Sequence, residues 1–167
     1  MERLILFRHG KAEAKGKAPD FERALTEDGR FDAAVIGQAL AKADLVPTAA
    51  LVSPARRTME TWEAARAAFP QARAYPVREL YNATAAEIVG ALQGVTAPTV
   101  VVVGHNPGLH ELAIGLLHEG GASSSVMSKV ASRFPTATAI AFAIDENGRA
   151  IYDGIFYAAD HGGKGGD

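Results

Sequence analysis

Two stretches constrain this chain more than any others. Leu4-Ile5-Leu6-Phe7 runs straight into Arg8-His9-Gly10, and Val100-Val101-Val102-Val103 runs straight into Gly104-His105-Asn106-Pro107-Gly108. Four apolar residues in succession, without polar alternation, read as a strand buried on both faces. Such strands occupy the centre of a parallel sheet covered by helices. In open α/β sheets, ligands gather just beyond the carboxyl ends of the strands. Each run therefore delivers an imidazole to the place where such a fold builds its site, and the first also delivers a guanidinium. If the two strands are neighbours and parallel, the two histidines meet.

The intervening sequence supplies helices at the right intervals. Thr26 precedes Glu27 and Asp28, an N-cap followed by acidic residues at the positive end of a helix dipole. Ala33, Ile36, Leu40 and Ala43 then form an apolar stripe. Ala49 to Val52 reads as a short strand. Ser53-Pro54 reads as the start of a helix, with Ser53 as N-cap and Pro54 at the first helical position; Met59, Trp62, Ala65 and Phe69 give its apolar face. Ala74 to Val77 is a short strand that Pro76 assigns to an edge. Thr84 caps a helix through Leu92, and Gly108 to His118 is a further helix. Residues 121–133 give no clear signal. Thr136–Ile144 and Arg149–Tyr157, joined by Glu146-Asn147-Gly148, form a terminal hairpin. The expected fold is a three-layer α/β/α sandwich, with a mostly parallel central sheet and an antiparallel C-terminal edge. Residues 1–160 read as one domain, and the Gly-rich 161–167 as a disordered tail. Lys11–Arg23 reads as a polar loop over the sheet end near His9.

Several classes of function fall away. The formal net charge of −2 argues against a general nucleic-acid binder or a basic membrane-surface protein. With no cysteine there is no disulfide, thiolate nucleophile or Cys-ligated metal. No apolar run approaches membrane-spanning length. The chain enters a strand at once, without a signal-peptide pattern, so a cytoplasmic location is expected.

Five motifs stand in order at predicted element boundaries. They are Arg8-His9-Gly10; Leu25-Thr26 with Gly29; Ser53-Pro54 with Arg57, Glu60 and Thr61; Glu79-Leu80-Tyr81-Asn82-Ala83; and Gly104-His105-Asn106-Pro107-Gly108. In this arrangement the chain resembles the histidine phosphatase (phosphoglycerate-mutase-like) superfamily, and within it the short, SixA-like phosphohistidine phosphatase branch. The resemblance spans residues 4 to about 157. It implies that His9 is a nucleophile that carries a covalent phosphoryl group. It also implies that His105 donates to the transferring phosphoryl oxygens, and that a carboxylate near Glu79 protonates the leaving group. In the short branch this last role is open, because a protonated histidine already leaves well. Glu79 reads equally as a partner of Arg78.

The residue chemistry agrees. Phosphoryl transfer needs positioning and charge stabilisation. A guanidinium is always charged and presents a planar fork of donors, so Arg8 and Arg57 suit phosphoryl oxygens. Arg56 and Arg57 project about 100° apart on a helix. The spacing from Ser53 favours Arg57 for the site and leaves Arg56 in solvent. His9 must be neutral at its attacking nitrogen, and a carbonyl near Gly10 is a plausible partner for the other. Thr58 and Thr61 read as packing and capping groups. Expected catalytic residues are thus Arg8, His9, Arg57, His105 and Glu79. Arg8, Arg57 and His105 also bind substrate, and no metal or other cofactor is expected.

The expected function is a metal-independent phosphatase acting on phosphohistidine in a protein partner, such as a phosphotransfer or His-containing carrier protein. The connections are too short for the lid of the larger relatives, and an open site suits a protein-borne substrate. A phosphomonoesterase for sugar phosphates or nucleotides is the alternative. A mutase is disfavoured because it must shield its phosphoryl group from water. A phosphate-binding module without turnover is disfavoured by the intact Arg8, His9, Arg57 and His105 set.

Overall fold

The computed structural model describes residues 1–166. Its strands are β1 (Arg3–Arg8), β2 (Ala49–Val52), β3 (Arg73–Pro76), β4 (Thr99–Gly104), β5 (Ala139–Ile144) and β6 (Ala150–Phe156). Its α-helices are α1 (Glu27–Lys42), α2 (Arg56–Ala65), α3 (Ala85–Leu92), α4 (Gly108–Glu119) and α5 (Ser124–Ser132). Among the described residues the strands form one sheet in the order β3-β2-β4-β1-β5-β6. β3, β2, β4 and β1 run parallel, and β5 and β6 add the antiparallel edge. This is the expected three-layer sandwich, and Pro76 does lie on its edge strand.

The two apolar runs explain the layering. Alternate residues of a strand point to opposite faces. Leu4, Leu6, Val100 and Val102 pack with Leu109, Leu112 and Ile88 under α3, α4 and α5. Ile5, Phe7, Val101 and Val103 pack with Ile36, Leu40 and Trp62 under α1 and α2. Each central strand thus feeds two cores, which is why its sequence shows no polar alternation. Burying one such side chain contributes roughly 1.5–3 kcal/mol.

β1 and β4 are adjacent and parallel, with Arg8 paired to Gly104. His9 and His105 therefore leave the sheet side by side, and their ring centroids are 5.5 Å apart. The Lys11–Arg23 loop folds over this end, with a 3-10 turn at Asp20–Glu22 and a bridge from Ala12 to Leu25.

Four local expectations are revised. α2 begins at Arg56 rather than at Pro54, with Ala55 as a cap that has no side-chain bond; Ser53 is not its N-cap. Met59 is 38 % exposed and lies off the apolar face of α2. The unassigned 121–133 segment holds α5, whose N-cap Ser123 accepts from the Val126 amide. Residues 161–166 are not a disordered tail. After a 3-10 turn at Ala158–His161 the chain reverses at Gly162 (φ 92°) and docks on α1. There the buried Asp32 carboxylate accepts from the amides of Lys164 at 2.6 Å and Gly165 at 3.1 Å. Two backbone donors satisfy a carboxylate that would otherwise be buried without partners. Asp167 lies outside the described residues. No described helix is long and apolar enough to cross a membrane.

Candidate active site

A cavity of about 580 Å³ opens at the carboxyl ends of β1 and β4, lined by Arg8, His9, Arg57, His105, Asp20 and Arg23 among others. Four of the five residues singled out from the sequence meet here. Glu79 does not join them: it is exposed in a 3-10 turn at Arg78–Leu80 and does not line the cavity.

His9 is 8 % exposed, and its Nδ1 lies 2.7 Å from the Gly10 carbonyl. A carbonyl only accepts, so Nδ1 carries the proton and Nε2 keeps its lone pair. Gly10 is itself held, because its amide donates to Thr61 Oγ1 at 2.9 Å. Burial pushes the His9 pKa down to about 4; the Gly10 bond opposes this, and the charges of Arg57 and Arg8 add to it. At neutral pH His9 is an uncharged imidazole with a free lone pair, which is the form a nucleophile requires.

Arg57 is 3 % exposed at the start of α2. Its Nη1 donates to the Asp20 carbonyl at 2.7 Å and its Nη2 to Asp20 Oδ2 at 3.2 Å. The same Nη2 lies 3.2 Å from His105 Nδ1. Arg57 Nε is buried with no partner among the described residues. An orphaned buried donor is costly in a folded protein and is tolerated where an incoming anion can use the group. Arg56, one position away, is exposed and pairs with Glu60 at 3.4 Å. From β1, Arg8 donates through Nη1 to the Phe134 carbonyl at 2.9 Å.

His105 is 4 % exposed, with Nε2 2.7 Å from Ser53 Oγ. Burial, then the neighbouring Arg57 and His9, push its pKa down to about 3. Both histidines are therefore neutral in the empty site, and the fixed positive charge comes from the arginines.

Three contributors were not legible in the sequence. Asp20 receives bonds from Tyr81 Oη at 2.7 Å, from Arg57 and from Arg23. The Tyr81 bond, followed by the two arginines, lowers its pKa to about 2. The carboxylate inside the site is thus ionised and is no proton donor near neutral pH. Tyr81 comes from the stretch flagged for Glu79, but Asp20 sits in a loop of mixed charge with no motif around it. Ser53 was flagged, though as a helix cap. Thr58 and Thr61 act as expected: Thr58 Oγ1 donates to the Ser53 and Ala55 carbonyls, and Thr61 Oγ1 to the Arg57 carbonyl.

A family model, the histidine phosphatase superfamily (branch 1), matches residues 4–82, which include Arg8, His9, Arg57 and Glu79. The chain carries the histidine phosphatase superfamily signature and fold. A solved structure of a candidate phosphohistidine phosphatase SixA from Agrobacterium tumefaciens superposes with a TM-score of 0.81 at 25 % identity, covering 93 % of this chain and 97 % of that one. One from Nakamurella multipartitia gives a TM-score of 0.82 at 25 % identity, covering 93 % and 95 %. A protein histidine phosphatase SixA complexed with tungstate shares the fold, with a TM-score of 0.76 at 22 % identity over 95 % and 98 % of the two chains. No curated protein sequence matches the chain. The SixA-like resemblance seen in the motifs is thus matched in the fold, and the superposition extends beyond residue 82 to the region of His105.

Proposed function

We propose that the protein is a metal-independent phosphatase that transfers a phosphoryl group to His9 and then to water, and that its substrate is phosphohistidine on a protein. The observation that carries this reading is the His9 Nδ1 bond to the Gly10 carbonyl, which leaves Nε2 unprotonated in a cavity lined by Arg8 and Arg57.

In the first step the Nε2 lone pair attacks phosphorus. The bond from phosphorus to the leaving nitrogen breaks, and that nitrogen departs with its electron pair and takes up a proton. Arg8 and Arg57 balance the charge on the phosphoryl oxygens, a task at which fixed donors excel because they need no reorganisation. In the second step water attacks phospho-His9, releasing phosphate and restoring the neutral imidazole. The charge that a metal ion supplies elsewhere comes here from guanidinium groups. A phosphohistidine leaving group needs little acid help, which fits a site whose own carboxylate is held ionised.

A protein substrate is supported by the short connections around the cavity. Residues 66–98 hold only β3, two 3-10 turns and α3, with no inserted lid domain. The SixA neighbours point the same way. A phosphotransfer or carrier protein of this kind works in the cytoplasm, and we place the enzyme there.

The test is turnover of a phosphohistidine-bearing phosphotransfer protein beside a panel of sugar phosphates and nucleotides, each with and without excess chelator. The phosphoprotein should be hydrolysed far faster than any metabolite, with chelator making no difference. Preference for a metabolite would replace the substrate assignment with a small-molecule phosphomonoesterase. Loss of activity in chelator, restored by a divalent cation, would contradict metal independence.

A further inference from the structure

We infer that Ser53 is a positioning residue that fixes His105 in its Nε2–H tautomer, so that the site takes up one proton at His105 Nδ1 when an oxyanion binds. The inference rests on the phosphatase reading above, because it concerns how that site meets its phosphoryl group.

The tautomer follows from the partners. Arg57 has only donors, and its Nη2 lies 3.2 Å from His105 Nδ1. A proton on Nδ1 would set two donors against each other, so Nδ1 carries the lone pair and Nε2 carries the hydrogen. That hydrogen points to Ser53 Oγ at 2.7 Å. The serine is fully buried and its backbone is fixed on both sides. Its amide donates to the Val103 carbonyl at 3.0 Å, and its carbonyl accepts from Thr58 Oγ1 at 2.7 Å. Oγ therefore stands in one place as the acceptor for Nε2–H. This accounts for the helix start: Ser53 serves the histidine, and α2 begins at Arg56 without a side-chain cap. The paired histidines end up in opposite tautomers, His9 with Nδ1–H and His105 with Nε2–H.

A lone pair on Nδ1 suits Arg57 in the empty site but repels a phosphoryl oxygen. The groups facing His105 are Arg57 from α2, Arg8 and His9 from the end of β1, Asp20 from the loop, and Tyr81, whose ring meets the imidazole edge-on at 5.7 Å. In the empty site the two guanidinium groups outweigh the Asp20 carboxylate and keep His105 neutral. A bound dianion reverses that balance. A proton from solvent then adds to Nδ1, and His105 becomes an imidazolium with both N–H groups used, one on Ser53 Oγ and one on the anion. No other bond changes, and the proton leaves again with the product.

The probe is tungstate at mildly alkaline pH, where it is a dianion with no proton to give. Nitrogen-15 spectra of the histidine-labelled protein, assigned with His105→Gln, should show His105 as the Nε2–H tautomer and His9 as the Nδ1–H tautomer before tungstate is added. With tungstate, His105 should become doubly protonated. Calorimetry in buffers of different ionisation enthalpy should report uptake of close to one proton. Ser53→Ala should lose the single tautomer and bind tungstate roughly tenfold to a hundredfold more weakly, while the His9 signals stay in place. A wild-type His105 with its proton on Nδ1, or one that stays neutral in the tungstate complex, overturns the inference without need of the variant. Absent turnover with the predicted spectra intact would instead count against the proposed function alone.

Discussion

Arg56 and Arg57 are chain neighbours with opposite surroundings, and that contrast is testable. Arg57 is buried against Asp20 and His105, whereas Arg56 reaches only Glu60 at the surface. Arg57→Lys keeps the charge and loses the planar fork. Each charge-assisted hydrogen bond is worth roughly 1.5–3 kcal/mol, so kcat should fall on the order of tenfold to over a hundredfold. Because the contact strengthens in the transition state, the loss should appear in kcat and not only in KM. Arg56→Lys should leave both constants near wild type. Steady-state kinetics on the two variants decide the matter; a crippled Arg56→Lys beside a normal Arg57→Lys would mean that the wrong guanidinium has been placed in the site. The burial of Arg57 was foreseeable from its spacing after Ser53. The partner of Arg57 was not, because nothing in the sequence around Asp20 marks one carboxylate among the mixed charges of its loop.

The elements were legible to the extent that burial and periodicity speak for themselves. The all-apolar runs of β1 and β4 announce two-sided burial, and their ends locate the two histidines. Boundaries that depend on what a side chain is used for were not legible. Ser53-Pro54 has the form of a helix start, yet the serine is taken by His105 and α2 begins at Arg56. The Gly-rich 161–166 segment has the composition of a free tail, yet the buried Asp32 carboxylate gives its amides a partner 132 positions away in sequence. The join between β1 and α2 yields a prediction of its own. The buried Gly10 amide donates to Thr61 Oγ1, and Gly10 in turn orients His9. Thr61→Val keeps the shape and orphans that amide, which should cost about 1–3 kcal/mol in urea unfolding and lower turnover as well. Thr61→Ser keeps the oxygen and should lose no more than about 0.8 kcal/mol for the missing methyl. Equal losses in the two variants would show that the hydrogen bond is not what matters.

For the molecule as a whole, the neutral histidines set a dependence of stability on pH. Both rings have a model value of 6.5, which falls in the folded protein to about 4 for His9 and about 3 for His105. Below 6.5 the unfolded chain gains protons that the folded chain refuses, so the folded state loses stability as pH falls from there towards 3. Above 6.5 neither state binds these protons and the contribution is flat. Each ring adds at most about 1.36 kcal/mol per pH unit within its window. Asp20 acts in the same direction lower down, from 3.8 towards about 2. Urea unfolding between neutral pH and about pH 5 isolates the histidines from the carboxylates. His105→Gln should show a shallower decline than wild type, and an equal slope would mean that His105 titrates normally when folded.

The central claim is that His9 carries the phosphoryl group. The direct measurement is rapid quenching of the enzyme during turnover of a phosphorus-labelled substrate, followed by localisation of the label on the protein. Wild type should hold a label that is lost in acid, retained in alkali and mapped to His9, while a folded His9→Ala protein should hold none and turn nothing over. Label of the same stability on the His9→Ala protein, or wild-type label on any other residue, would contradict the account.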